Sequence, residues 1–389
     1  MRLEEKGVQP FASLTSEAWG NTTGGLKVGA WYDQLLDFGF QLDTAKLGWW
    51  EGGGFFVQAH WVEHAGNASC FEDDTGAFNP VSNVMAGDQL RIFNLYYRHA
   101  WKDAMFQLKL GQIAADDDFM GSDYSKLFLN SAFGAMPSQV GTPLATSCGS
   151  TPAFPIYSVA APGIFLRAQP VEPFYTQLGL YYGRLGLDKP GNHGFDWASE
   201  TPPELGLFWE NGFHYKLADC PATIRLGLTY HTGPLDDFSS ATRNGSTATH
   251  QAVPNYYAIH DLQLLADEKG QPKLGLFCRG GITPEPELSM VSWYADTGLN
   301  WFAPLPDRTD DLAGIAVSYT KFGSAFREKT GPDGVAADET TLELTYRAVI
   351  THWWTMQADT QFLFNPAVNP NTNSRRTAIV LGLRAVITF

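Results

Sequence analysis

Taken two residues at a time, the C-terminal stretch TAIVLGLRAVITF divides into two faces. Ile379, Leu381, Leu383, Ala385, Ile387 and Phe389 make one continuously apolar face, while the other carries Gly382, Arg384 and Thr388. The same alternation runs through TTLELTYRAVI, where Leu342, Leu344, Tyr346, Ala348 and Ile350 oppose Thr341, Glu343, Thr345 and Arg347. In WTMQADTQFLF the wet face carries Gln357, Asp359 and Gln361. Upstream it recurs in segments such as GVQPFASLTSEAWG, QLRIFNLYYRHAW, AMFQLKLGQI, PFYTQLGLYYGRL and TIRLGLTYHTG. The segments number about 16, each of the length that crosses a bilayer at a tilt, and no long stretch has a helical period. The class is all-β.

Connections between these segments alternate between tight turns and long polar stretches, as in THW against SAFREKTGPDGVAADE. Outer-membrane barrels have this asymmetry, with short periplasmic turns and long external loops. Hydrocarbon requires every backbone amide to be paired, so a spanning sheet must close, leaving one face for lipid and one for the lumen. Arg384 then lines a pore. An even strand count puts both termini on the periplasmic side, and the terminal Phe389 fits the signal by which such barrels meet their assembly machinery. The reading is therefore one transmembrane antiparallel barrel over residues 1–389, in contact with outer-membrane lipid.

Composition narrows this further. The 389 residues carry a formal net charge of −15, which disfavours a nucleic-acid partner because phosphates would be repelled. The 26 Phe, 15 Tyr and 12 Trp in a chain that is only 44% hydrophobic suit a wall with one wet side. The opening MRLEEKGVQP shows no secretory signal pattern, so a mature form of an exported protein is expected.

Projection of each strand onto its wet face gives a lumen of mixed sign. Arg98, Lys109, Arg167, Arg225, Arg279, Arg347 and Arg384 are its basic residues, and Asp33, Asp37, Glu210, Asp261, Asp296, Glu343 and Asp359 its acidic ones. These groups offer donors and acceptors to hydroxyls, and Tyr96, Tyr181 and Trp31 offer ring faces. For most of the charges, pairing across neighbouring strands is the simpler role. The long connection 114–157 needs a reason for its length, and Asp116, Asp117, Asp118 and Asp123 cluster within it. Those acids fit pairing with lumenal Arg or Lys, contact with sugar hydroxyls, or a hard cation, although the spacing is not that of an EF-hand. DYSKLFLN reads as a short helix.

Cys70, Cys148, Cys220 and Cys278 include no C-x-x-C pair and no zinc spacing, so no metal is expected on them. Cys70 and Cys148 fall in long connections and are expected to bridge. Cys278, beside lumenal Arg279, should face lipid, and Cys220 sits in a short turn, so both are expected to be free. No nucleophile motif of the G-x-S-x-G kind is present, which argues against a hydrolase; a carboxylate pair or a soluble sugar-binding protein are the remoter alternatives.

Several words carry a family likeness. GQIAADDDFMGSDYSKLFLNSAFG, PGIFLRAQP, YHTGPLDDF, WYADTGLNW, LELTYRAVIT and VLGLRAVITF, with the opening RLEEKGVQPFASLTSEAWGNTTGG, together resemble the carbohydrate-selective porin family of the OprB type, in the family's order. The resemblance implies an outer-membrane channel of about 16 strands passing glucose and similar small polar solutes by diffusion, without a cofactor. It also implies a third loop folded into the pore, so that 114–157 forms the constriction. A general or ion-selective porin is the nearer alternative. Phe165 and Trp31 stand where the family often carries a basic residue, giving a more aromatic lumen. The preferred sugar and any association into a homo-oligomer are left open.

Overall fold

The computed structural model describes residues 3–66, 75–140, 154–183, 185, 191–197, 203–239, 249–251, 254–331, 334–367 and 377–389. Its strands are β1 (Val8–Thr23), β2 (Gly29–Asp43), β3 (Gly53–Gly66), β4 (Gln89–Trp101), β5 (Phe106–Ile113) and β6 (Ala161–Val171). Then follow β7 (Phe174–Tyr182), β8 (Leu205–Leu217), β9 (Cys220–His231), and a small pair, β10 (Pro234–Asp236) and β11 (Thr249–Gln251). The last seven are β12 (Asn255–Ala266), β13 (Pro272–Ile282), β14 (Val291–Phe302), β15 (Leu312–Phe322), β16 (Asp338–Thr351), β17 (Trp354–Phe364) and β18 (Ala378–Thr388). All but β10 and β11 form a closed barrel of 16 strands in which β18 returns to pair with β1. Every neighbouring pair along the wall is antiparallel, including β1 with β18 and β9 with β12.

Period two decides which way each side chain points. Leu95, Leu110, Leu166, Leu226, Leu344 and Leu383 stand exposed on the outer face, and buried polar residues alternate with them on the inner one, as Asn94 does with Leu95 and Glu343 with Leu344. Exposed Trp50, Trp101, Trp301 and Trp353 mark the turn end, while Trp293 and Tyr256 mark the loop end. Aromatic girdles of this kind sit at the two membrane interfaces. Tight turns close the lower rim, as at Ala218 and Asp219, whose positive φ angles let β8 reverse into β9 within two residues. No helix among the described residues is long and apolar enough to cross a membrane.

The stretch DYSKLFLN contains only a 3-10 turn at Ser125–Leu127, followed by another at Ser131–Phe133 and a four-residue helix at Pro137–Val140. A short helix was expected there; the backbone instead spends its polar groups on side chains of the wall. Cys220 is the first residue of β9 and Cys278 lies exposed on β13, and both are free. Cys70 and Cys148 lie outside the described residues.

Candidate functional site

An irregular segment satisfies only part of its own backbone, here in the short turns at 115–118, 125–128 and 131–134, so the remaining amides and carbonyls must find partners elsewhere. Residues 115–140 find theirs on the inward faces of the wall. Glu210 of β8 accepts from the Met120 amide at 3.3 Å, and Asp261 of β12 accepts from Ser122 Oγ at 2.5 Å and the Asp123 amide at 3.1 Å. Asn300 of β14 donates to the Tyr124 carbonyl and Gln357 of β17 to that of Leu127, both at 2.8 Å. Glu343 of β16 accepts from the Leu129 and Asn130 amides at 2.6 and 2.9 Å. On the way back, Arg279 of β13 donates to the carbonyls of Ala132 and Gly134 at 3.1 and 2.7 Å, while pairing with Asp296 at 2.5 Å. Below this polar lattice Phe119 packs on Phe165 and Phe208, and Phe128 on Phe133 and Phe277.

The predicted acids separate by partner. Asp118 receives Lys109 Nζ at 2.7 Å, and Asp117 accepts from Asn94 Nδ2 at 2.9 Å. Asp116 accepts from the Tyr157 amide at 3.0 Å, while its other oxygen is unpartnered among the described residues. Desolvation within the barrel interior, then the neighbouring charge of Asp117, holds the Asp116 carboxyl above the ordinary carboxylate range. Asp117 is raised likewise, by desolvation first and then by Asp118, although its atoms open onto lumenal space. Asp123 sits 3.3 Å from Arg225, which also pairs with Asp261 at 2.5 Å. Among the described residues no group of three or more His, Cys, Asp or Glu has the geometry to hold a metal.

The second long connection, between β3 and β4, also lies against the inner wall over residues 75–86. Ala77, Phe78, Val81 and Met85 are buried there. Glu339 of β16 accepts from the Phe78 and Asn79 amides at 2.7 and 3.0 Å, and Ser82 Oγ donates to Glu17 of β1 at 2.6 Å. The two connections touch where the Ser131 amide donates to the Pro80 carbonyl at 2.9 Å. Sequence reasoning singled out neither Glu17, Glu339 nor residues 75–86. Both acids had a usable signal, Glu17 being in phase with Thr15 and Trp19 on the wet face of β1 and Glu339 with Thr341 and Glu343 on that of β16.

The remaining predicted residues also point inward, with different surroundings. Arg384 pairs with Glu17 across the β1–β18 junction and donates to Asn83 Oδ1 at 2.7 Å. Arg98 donates to Gln41 at 3.1 Å near the turn end, and Arg167 lies 3.8 Å from the Tyr175 ring centroid. Of Arg98, Lys109 and Arg167, only Lys109 bonds the acidic segment directly. Half-buried Arg347 stands opposite Gln357, with its Nε unpartnered among the described residues. Tyr96 is half-buried beside Phe56. Trp31 is covered by Trp19, Ala77, Val81 and Leu129, so it packs the second connection instead of presenting a free ring.

The fold is similar to the high-pH structure of Pseudomonas putida OprB, at TM-score 0.85 and 19% identity over 100% of this chain and 95% of that one. The low-pH structure of the same protein matches at TM-score 0.61 and 15% identity, covering 100% and 94%. The outer-membrane channel DcaP of Acinetobacter baumannii matches at TM-score 0.51 and 11% identity, covering 98% and 97%. No curated protein matches the sequence. Residues 27–389 match the family described as carbohydrate-selective porin, OprB family, and with that match over a closed 16-stranded barrel the chain belongs to the OprB family, an outer-membrane porin and not an enzyme.

Proposed function

We propose that this porin passes monosaccharides such as glucose, and polar solutes of similar size, by diffusion through a waist set within the connection 114–157, of which residues 141–153 lie outside the described residues. The observation that carries the reading is the hydrogen-bonded row Asp37–Gln58–Asn94–Asp117, with successive contacts of 3.0, 2.7 and 2.9 Å, set beside the Lys109–Asp118 pair. Carboxamides and paired charges present donors and acceptors together with little net field. A neutral hexose can exchange water hydrogen bonds for wall hydrogen bonds at nearly equal free energy, and so enters without being trapped. Several inward charges are committed to loop backbone, as with Glu210, Asp261, Glu343 and Arg279, and others pair with one another, as in Lys109–Asp118 and Arg384–Glu17, which supports a neutral cargo over a strongly ion-selective one.

Proteoliposome swelling tests this. Glucose should drive swelling well above the rate of protein-free liposomes. Swelling no faster than the blank, alongside ready permeation of small anions, would leave an anion pore as the better account.

A further inference from the structure

Beneath the row of amides lies a row of rings. Phe11 of β1, Phe56 of β3 and Tyr96 of β4 all point inward and are half-buried. Phe11 and Phe56 lie on strands separated by β2, yet their centroids are 5.6 Å apart and their planes differ by 8°. Gly39 makes this possible: it pairs with Phe11, and a Cβ there would come within 2.9 Å of the Phe11 ring. Phe56 faces Tyr96 directly in register, with centroids 5.1 Å apart. Lys109 Nζ closes the far end, 5.2 Å from the Tyr96 centroid.

Polar groups flank this ribbon on both sides. Two residues up the strands are Gln58 and Asn94, joined to Asp37 and Asp117. Two residues down are Gly54 and Arg98, and the missing side chain at Gly54 leaves room for the Arg98 guanidinium, whose Nε would lie 3.0 Å from a Cβ there. Arg98 thereby reaches Gln41 at 3.1 Å, at the edge of a cleft of about 220 Å³ shared with Gln9 and Lys46. Strand geometry puts each polar row about 7 Å from the ring row. A hydroxyl at the edge of a six-membered sugar ring, extended by one hydrogen bond, covers about 6–7 Å.

We propose that Phe11, Phe56 and Tyr96 form a stacking subsite for a pyranose on the turn side of the acidic segment, with Phe56 as its centre. Acceptors at Gln58 and Asp117 take hydroxyls on one edge, and donors at Arg98 and Gln41 take those on the other. The flat apolar face of a pyranose with equatorial hydroxyls matches this order of polar, aromatic and polar rows; an open-chain polyol, with no such face, does not. The proposal rests on the sugar-channel reading and adds a site to it.

The test is current block in single channels, read as the half-blocking concentration of glucose and of sorbitol. Phe56→Leu keeps the apolar bulk and removes the ring, and should raise the glucose value about two- to twelve-fold, the range for loss of one aromatic pairing. Phe56→Tyr should restore it to within about twofold of wild type, and sorbitol should not discriminate between the variants. Tyr96→Leu should act in the same direction, and it replaces Phe56→Leu if that barrel does not assemble. An unchanged glucose value in both leucine variants, or equal shifts for glucose and sorbitol, overturns the subsite while leaving the sugar channel standing. A wild-type channel neither blocked by nor permeable to glucose removes both.

Discussion

Glu343 offers the sharpest perturbation of the inner segment. Its side chain is fully buried and its two oxygens take the amides of Leu129 and Asn130 at 2.6 and 2.9 Å. Glu343→Ala strands both donors away from water, and at ~1–3 kcal/mol for each unsatisfied group the local cost is ~2–6 kcal/mol. The low end of that range alone raises the detached population of the turn about 30-fold. Asn130 retains its bond to Gln361 at 2.9 Å, and Arg279 still holds Ala132 and Gly134, so the loss is confined to the turn and the barrel persists. Planar-bilayer recordings should therefore show noisier open-channel current and a higher mean conductance. Glu343→Gln keeps one carbonyl oxygen and should fall between the two. Wild-type conductance and wild-type noise in a correctly assembled Glu343→Ala barrel would refute the idea that this anchor holds a waist.

Four further outcomes are expected. Arg384→Ala leaves Glu17 buried without its charge partner, a loss of ~3–5 kcal/mol for a broken buried pair, read as a lower temperature of conversion from folded to unfolded mobility in detergent gels. Because Asp116 and Asp117 are held above the ordinary carboxylate range, both take up protons as pH falls below neutral; cation preference, read as reversal potential in a salt gradient, should decline over that interval and recover above it. The packing of residues 116–118 should change in the opposite sense: a raised carboxyl binds its proton more tightly in the folded protein, so that packing should weaken as pH rises from acid through neutral, measurable by hydrogen exchange. Non-reducing peptide mapping should recover Cys70 linked to Cys148, with Cys220 and Cys278 free.

The wall was legible because its rules are local. Alternation over ten residues sets which face meets lipid, and that alone put Arg384, Glu343 and Asp296 inside and Cys278 outside. The contents of the barrel were legible only in part. Phe78 and Leu129 are held by carboxylates 261 and 214 residues away, and no local spacing announces a carboxylate aimed at a distant backbone amide. The same gap explains the helix expected in DYSKLFLN: helix propensity competes with wall groups such as Asp261, Asn300 and Gln357, which offer Ser122 to Leu127 their bonds from outside. Trp31 shows the converse error of scale, since a ring on the wet face is a free ring only if no loop covers it.

The bond between Arg384 and Glu17 has a consequence for how the molecule comes together. The two residues face each other in register across the junction of the first and last strands, and both also hold the second connection, through Asn83 and Ser82. During synthesis and insertion these partners belong to opposite ends of the chain. The Arg384 half of the clasp on the second connection is therefore absent until the final strand arrives, when it joins the holds that Glu17 and Glu339 already offer to Ser82 and Phe78. Sealing the cylinder and completing the hold on its internal lining thus depend on the same pair of side chains.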